Sequence, residues 1–363
     1  MSMNDPKLQL PAFVNALLVL LLISLIVFIL IIGKSLLIPL FLAGFLSILL
    51  TPIGDWLEKR GLNRILSTLI SLISALLILI GFLTFAVLQV ASFSKDLGNV
   101  GDKLNNYLSD INNWIVSTFQ VETGIGQGID QGYLIELLQS NSSSLAEFIL
   151  NTVGSLSGII LLPVFIFFFL IYRDHLTEFI VHLFKEKKQE HIKSEIKELR
   201  KVVQKYIIGI LKVMAILAIL NAGVLFGLGI KHAIFFAVFS AILSIIPYLG
   251  PFLGAVLPTI FAFLTTDSLF YPIGVVVGFQ VIQLIESNFL TPKIVGSNVN
   301  LNAFVTFLGL LIGASIWGVI GMVLIIPTLA VLRKIFELSE STKPFALLFG
   351  EEKLKEKHES ESN

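Results

Sequence analysis

The segment Gln280-Val-Ile-Gln283-Leu-Ile-Glu286-Ser287-Asn288 sets a carboxylate and several amide and hydroxyl groups in an otherwise apolar stretch. At helical spacing Gln280, Gln283 and Ser287 share one face, with Glu286 beside them. Such a stripe costs insertion energy in an apolar helix, so it should face a cavity or a partner helix. Glu286 has the chemistry to bind a cation or a proton, or to accept hydrogen bonds from solute hydroxyls. The alternative is a helix-end carboxylate paired with Lys293 across the Thr291-Pro292 turn. Between residues 207 and 332 only Lys212, Lys231, Asp267, Glu286 and Lys293 carry formal charge.

Motifs of soluble enzymes fail. Gly33-Lys34-Ser35 resembles the end of a P-loop, but position 28 is Phe where the phosphate cradle needs glycine. Gly154-Ser-Leu-Ser-Gly158 lacks the central serine of a nucleophile elbow. The histidines at 175, 182, 191, 232 and 358 lack metal-ligand spacing, and there is no cysteine. Neither an enzyme nor a cofactor is expected.

The elements that would position Glu286 follow from composition. Of 363 residues, 55% are hydrophobic and only 14% charged, and the mean hydropathy is +0.91. That is too little charge to coat a water-soluble surface. The 25 basic and 25 acidic residues balance, so no bulk charge points to nucleic acid. Charge-free runs occur at 8–33, 35–54, 65–94, 148–172, 213–230, 233–266, 268–285 and 294–332. Each is long enough for at least one membrane helix, which needs roughly 20 apolar residues. The first run is too long for a cleaved signal and lacks its basic start and cleavage site, so it reads as a retained helix.

Lys59, Arg60 and Arg64, the nine basic residues of 173–205, and Arg333 with Lys334 mark the cytoplasmic side. The 95–147 segment has two lysines against seven acids and reads as outside. This scheme puts both termini inside and makes the first four helices alternate. In 104–119 Leu104, Leu108, Ile111, Ile115 and Phe119 form an amphipathic stripe, followed by a Gly-rich loop at 124–128 and a Ser144/Glu147 capping box. In 185–206 a second stripe (Ile192, Ile196, Leu199, Val203, Tyr206) lies on a very polar helix. A lipid-sensing element would suit it. A cytoplasmic extension packed on a neighbour is the preferred reading, because the six acids of 173–205 dilute the basic charge.

The runs 233–266 and 294–332 are too long for one helix and awkward as two. The first breaks at Pro247-Tyr-Leu-Gly250-Pro251-Phe-Leu-Gly254, the second around Gly313 to Gly321. Both then carry an apolar-Pro-Thr triplet, Leu257-Pro-Thr259 and Ile326-Pro-Thr328. Proline blocks helix continuation, and irregular backbone at membrane depth must line protein or a watery cavity. Two helical hairpins, re-entrant or spanning, are expected at 233–266 and 300–332, of the kind that build solute sites in transporters. Pairs such as Gly274/Gly278 and Gly309/Gly313 fit close helix packing.

The run Ile246-Pro-Tyr-Leu-Gly-Pro251-x-x-Gly254, Gln283-x-x-Glu286-x-Asn288, Pro292-x-x-x-Gly296, Gly318-x-x-Gly321 and Ile326-Pro327 is similar to the AI-2E family of bacterial transporters. Thr51-Pro52 and Glu58-Lys-Arg-Gly61 extend the resemblance towards the N-terminus. Where that family often has His-Pro, this chain has Asn302-Ala303, so a role resting on the histidine does not carry over. The resemblance implies a multi-pass protein of the bacterial inner membrane that assembles as a homo-oligomer, a pentamer by the family's habit. It also implies export of a small hydrophilic solute such as autoinducer-2, or sodium(lithium)/proton antiport.

The expected fold is an all-α polytopic bundle of about six to eight spanning helices with the two broken hairpins. Its parts are membrane helices in 1–94, an outer segment 95–147, a helix 148–172, a cytoplasmic helix 173–205, a transport core 206–335 and a charged tail 336–363. The expected function is alternating-access movement of a small polar solute. A cation/proton antiporter is the first alternative and a non-transporting scaffold the second. Glu286, Gln283, Gln280 and Asn288 would contact solute. Pro247, Gly250, Pro251, Gly254, Pro292 and Gly296 would hold the breaks open. Lipid and further copies of the chain are the expected partners.

Overall fold

The computed structural model describes residues 11–96, 109, 116–117, 156–183, 189–296, 301–338 and 342–350. Most of the outer segment, with its stripe, glycine loop and capping box, and the part of the charged tail beyond Gly350 lie outside the described residues. Among those described, the chain is helical with one isolated bridge, Leu301 to Gly350.

Three helices open the chain: α1 (Ala12–Ile32), α2 (Lys34–Lys59) and α3 (Arg64–Asp96). Then come α4 (Leu156–Ile171), α5 (Arg173–Leu183) and α6 (Gln189–Gly227). The C-terminal half holds α7 (Ala233–Leu243), α8 (Leu249–Thr265), α9 (Phe270–Ile285), a π-helical turn (Glu286–Leu290) and α10 (Thr291–Ile294). The long α11 (Ala303–Glu337) and the short α12 (Lys343–Phe349) close it. By length and composition five helical stretches, the kinked α11 among them, are apolar enough to cross a membrane, and the bent α4–α5 pair would count as a sixth only if it formed one span. Large apolar side chains face outward along α1, α3 and α9, among them Leu20, Ile78 and Val277. A water-soluble protein does not present such continuous surfaces. The protein is a polytopic helical membrane protein.

Two features depart from the expected layout. Only Gly33 separates α1 from α2, and its backbone stays near the helical region (φ −78°, ψ 7°). The Gly33 N–H donates to Ile29 O and the Leu37 N–H to Gly33 O, so this one residue closes α1 and opens α2. The two helices are joined there without a loop. Likewise, no break in the helix falls at residue 205. The polar stretch before it and the apolar run after it form one helix, α6, of 39 residues, about 58 Å long at 1.5 Å per residue.

Ala43 and Leu50 of α2 and Leu72 of α3 pack with Ile166 and Leu170 of α4. Leu225, Phe236, Phe261, Val275 and Phe279 join the end of α6 to α7, α8 and α9. Gly274 faces Leu228, just past the end of α6, and Gly278 faces Val224 of α6, whereas Gly223 and Gly227 meet nothing within 4 Å. The three basic segments gather at one end. Arg173 pairs with Asp55 (2.9 Å) and Glu58 (2.7 Å), Arg64 with Asp174 (2.6 Å), and Lys334 with Glu195 (3.1 Å) and Glu198 (3.4 Å). Arg173 is 12% exposed, so Arg173→Gln strands two acids beside a buried site. Its loss should cost about 1–2 kcal/mol, between the values for surface and buried pairs. Thermal unfolding in detergent checks this, and an unchanged midpoint would show the pairs to be idle.

Candidate functional site

Both long apolar runs fold back on themselves. Helix α7 ends at Leu243 and α8 begins at Leu249, and the intervening turn carries Pro247. Tyr248 caps α8 at φ 65°, an uncommon conformation for a side chain of its bulk. Gly250 abuts the Leu243 carbonyl, and Gly254 crosses α7 at Ser240, whose hydroxyl donates to Gly254 O. In α11 the reversal falls at Trp317 and Gly318, where Gly318 takes φ 61°, ψ −139°, a region essentially open to glycine alone. The arms 303–316 and 319–337 then run back along each other. Gly313 and Gly321 meet backbone to backbone, and Gly309 faces Leu329. The second arms match: Thr259 and Thr328, each just after a proline, donate to the carbonyls of Ala255 and Leu324 at 2.7 Å.

A half-open cavity of about 1020 Å³ lies between α6, the two folded-back runs and the α9–α10 stretch. Pro247, Pro251, Gln280, Gln283, Glu286 and Gly296 all line it, with Ser287, Thr291, Tyr206 and Tyr248. The other residues singled out from the sequence do not. Asn288 points away and donates to Leu284 O (2.8 Å). Gly250 and Gly254 serve the α7–α8 crossing, and Pro292 is exposed. Most lining side chains are apolar, and Glu286 is the one formal charge among the described lining residues.

Glu286 is held by uncharged donors. Its Oε2 accepts from Gln283 Nε2 at 2.7 Å and its Oε1 from the Thr291 hydroxyl. Among the described residues it forms no ion pair, so the Lys293 pairing is not made. The π turn explains the second bond. The Thr291 N–H reaches back five residues to Glu286 O, and this wider turn stacks Thr291 over Glu286, where an α-helix would rotate it away. Pro292 gives the turn a cause: it lacks the N–H for Asn288 O and its ring would crowd that carbonyl. Sequence reasoning found Pro292 but missed Thr291, Tyr206 and the π turn. Gln280 makes no hydrogen bond among the described residues and is exposed to the cavity.

Leu301, at the cavity rim, is tied to the C-terminal segment. The Asn302 side chain caps α11 by accepting from the Val305 N–H (2.8 Å) and donates to Leu348 O (2.6 Å) and Gly350 O (3.2 Å). Asn302→Ala should cost about 1 kcal/mol through the cap alone and free 343–350. Faster amide exchange in that segment is the expected result, and unchanged protection would sink the tie.

The family model described as AI-2E family transporter matches residues 17–340, from α1 to beyond the end of α11. The chain belongs to the AI-2E transporter family. It is 24% identical over 315 residues to a Mycobacterium tuberculosis protein named "Putative transport protein MT0215", covering 85% of this chain and 84% of that one. It is 25% identical over 316 residues to "Putative transport protein YrrI" of Bacillus subtilis, covering 83% and 85%. A Haemophilus influenzae protein named "Putative transport protein" is 30% identical over 95 residues, about a quarter of either chain. This AI-2E family member is therefore a membrane permease, and its family points away from an enzyme. The matched span contains the whole described cavity wall.

Proposed function

We propose that this AI-2E family member exports a small polar solute of the autoinducer-2 type by alternating access, with the 1020 Å³ cavity as the solute site. The observation that carries the reading is the meeting of Gln280, Gln283 and Glu286 with both folded-back runs around one space. Amides, hydroxyls and one carboxylate suit a hydroxylated or cationic solute. A carboxylate with no cation beside it disfavours a phosphorylated anion. The arms of α7 and α8, with 11 and 17 residues, reach about 16 and 26 Å, short of the ~30 Å hydrocarbon core. That supports a re-entrant hairpin at 233–266. Tyr248 at its turn stacks edge-on with Phe307 of the second run, 6.5 Å between centroids, and parting these rings would open the site.

The gathered basic end is assigned to the cytoplasm of a bacterial inner membrane by the positive-inside rule, and the end of α11 with it. The outward apolar faces are assigned to lipid and to further copies of the chain in a homo-oligomer. Flux of autoinducer-2 and of sodium in proteoliposomes, each across an imposed proton gradient, tests the reading. Solute movement supports it. Sodium-coupled proton movement without solute flux favours the antiporter, for which Glu286 is the cavity's carboxylate. Neither signal would favour a scaffold.

A further inference from the structure

A second cleft, of about 560 Å³, lies between α2, α4, α5, α6 and α11 and shares no lining residue with the solute cavity. Leu40, Phe41, Phe45, Ile48, Phe169 and Leu332 make its long wall apolar. From Leu40 to Thr51 that wall follows α2 for about 16 Å. At the Thr51 end stand Arg173 and Arg200.

The charges at this end are unequally used. Asp55 and Glu58 face Arg173, and Asp174 faces Arg64. Arg200 donates only to uncharged oxygens, Arg173 O (2.9 Å) and the Thr177 hydroxyl. Among the described residues it has no carboxylate within ion-pair distance. Asp174 and Asp55 lie near enough to act on its charge without bonding it, so its half-buried guanidinium keeps donors for an external anion.

The cleft also sits where the chain leaves the bundle. Helix α5 turns away from α4 by 68°. It carries exposed Leu176, Phe179 and Ile180 opposite charged residues, the make-up of a helix lying in the membrane interface. A phosphate placed at Arg200 would be at headgroup level, and the apolar wall would run from it into the bilayer. A free inorganic anion would leave that wall uncovered.

We propose that this cleft binds an anionic phospholipid, one acyl chain along Leu40–Thr51 of α2 and the headgroup phosphate on Arg200. Leu199 and Val203 of the amphipathic stripe on α6 line the same cleft, so lipid occupancy would brace the polar half of that helix against α2.

The test uses the purified full-length protein in detergent. Retained lipid is counted by native mass spectrometry during titration with dioleoylphosphatidylglycerol or dioleoylphosphatidylcholine. The phosphatidylglycerol is expected to bind about tenfold more tightly, the worth of one charge-assisted phosphate contact. Arg200→Gln should erase that preference, and Arg200→Lys should restore part of it. Gly44→Leu, which fills the wall opposite Phe169, should lower retention of both lipids in a protein whose arginines are untouched. Elution as the wild-type species on gel filtration separates lost binding from lost folding. Equal phosphatidylglycerol retention in wild type and Arg200→Gln overturns the proposal. So does undiminished retention in Gly44→Leu, or full displacement of the lipid by inorganic phosphate, which would mark a site for small anions.

Discussion

Glu286→Gln is expected to lower solute flux by about ten- to a hundredfold while the protein still reaches the membrane and assembles. The substitution is isosteric, so the π turn and the cavity volume are kept. What changes is the acceptor: one oxygen becomes an amide that cannot accept from Thr291 or Gln283. A hydrogen bond to a charged group contributes about 1.5–3 kcal/mol, which corresponds to that range in binding. Flux in proteoliposomes matched for protein content is the measurement. Wild-type flux with Gln at 286 would remove the charge from the mechanism and leave only a neutral hydrogen-bonding role for this position.

A large loss of stability should come from Gly321→Ala. A Cβ built at Gly321 stands 1.9 Å from the Gly313 carbonyl oxygen. The obstacle is backbone, so no rotamer change relieves it, and the two arms of α11 must part. Overpacking of this kind costs about 3 kcal/mol. We expect poor yield, early thermal unfolding and no flux. Gly227→Ala is the control, because that position meets nothing within 4 Å. A stable, active Gly321→Ala protein would mean that the arms are not in contact in the membrane. Together the two substitutions separate the chemistry of the cavity from the packing that holds its walls.

Much of this was legible in the residues. The charge-free runs located most of the long helices, because a span of apolar side chains without charge admits few other solutions. The polar face of Gln280, Gln283, Glu286 and Ser287 was readable from periodicity alone, and the structure turns that face to the cavity. Pro247 and the glycines around 313–321 marked where the chain had to break. Asn288 instead bonds its own helix at Leu284 on the widened turn.

The rest depended on distance in space. That Glu286 is held by Thr291 and not by Lys293 follows from a π turn, which no pattern in a single sequence announces. Whether Gly33 reverses the chain or merely bends it is set by a backbone torsion, and the composition of the flanking runs is the same either way. The meeting of Arg173 with Glu58, and of Lys334 with Glu195, joins residues more than a hundred positions apart. Sequence determined which stretches avoid water and which side chains are chemically able to bind a solute, since both are properties of residue type and short-range spacing. Only the tertiary structure decided which of those side chains share one cavity, because helix packing brings together positions whose separation along the chain carries no such information.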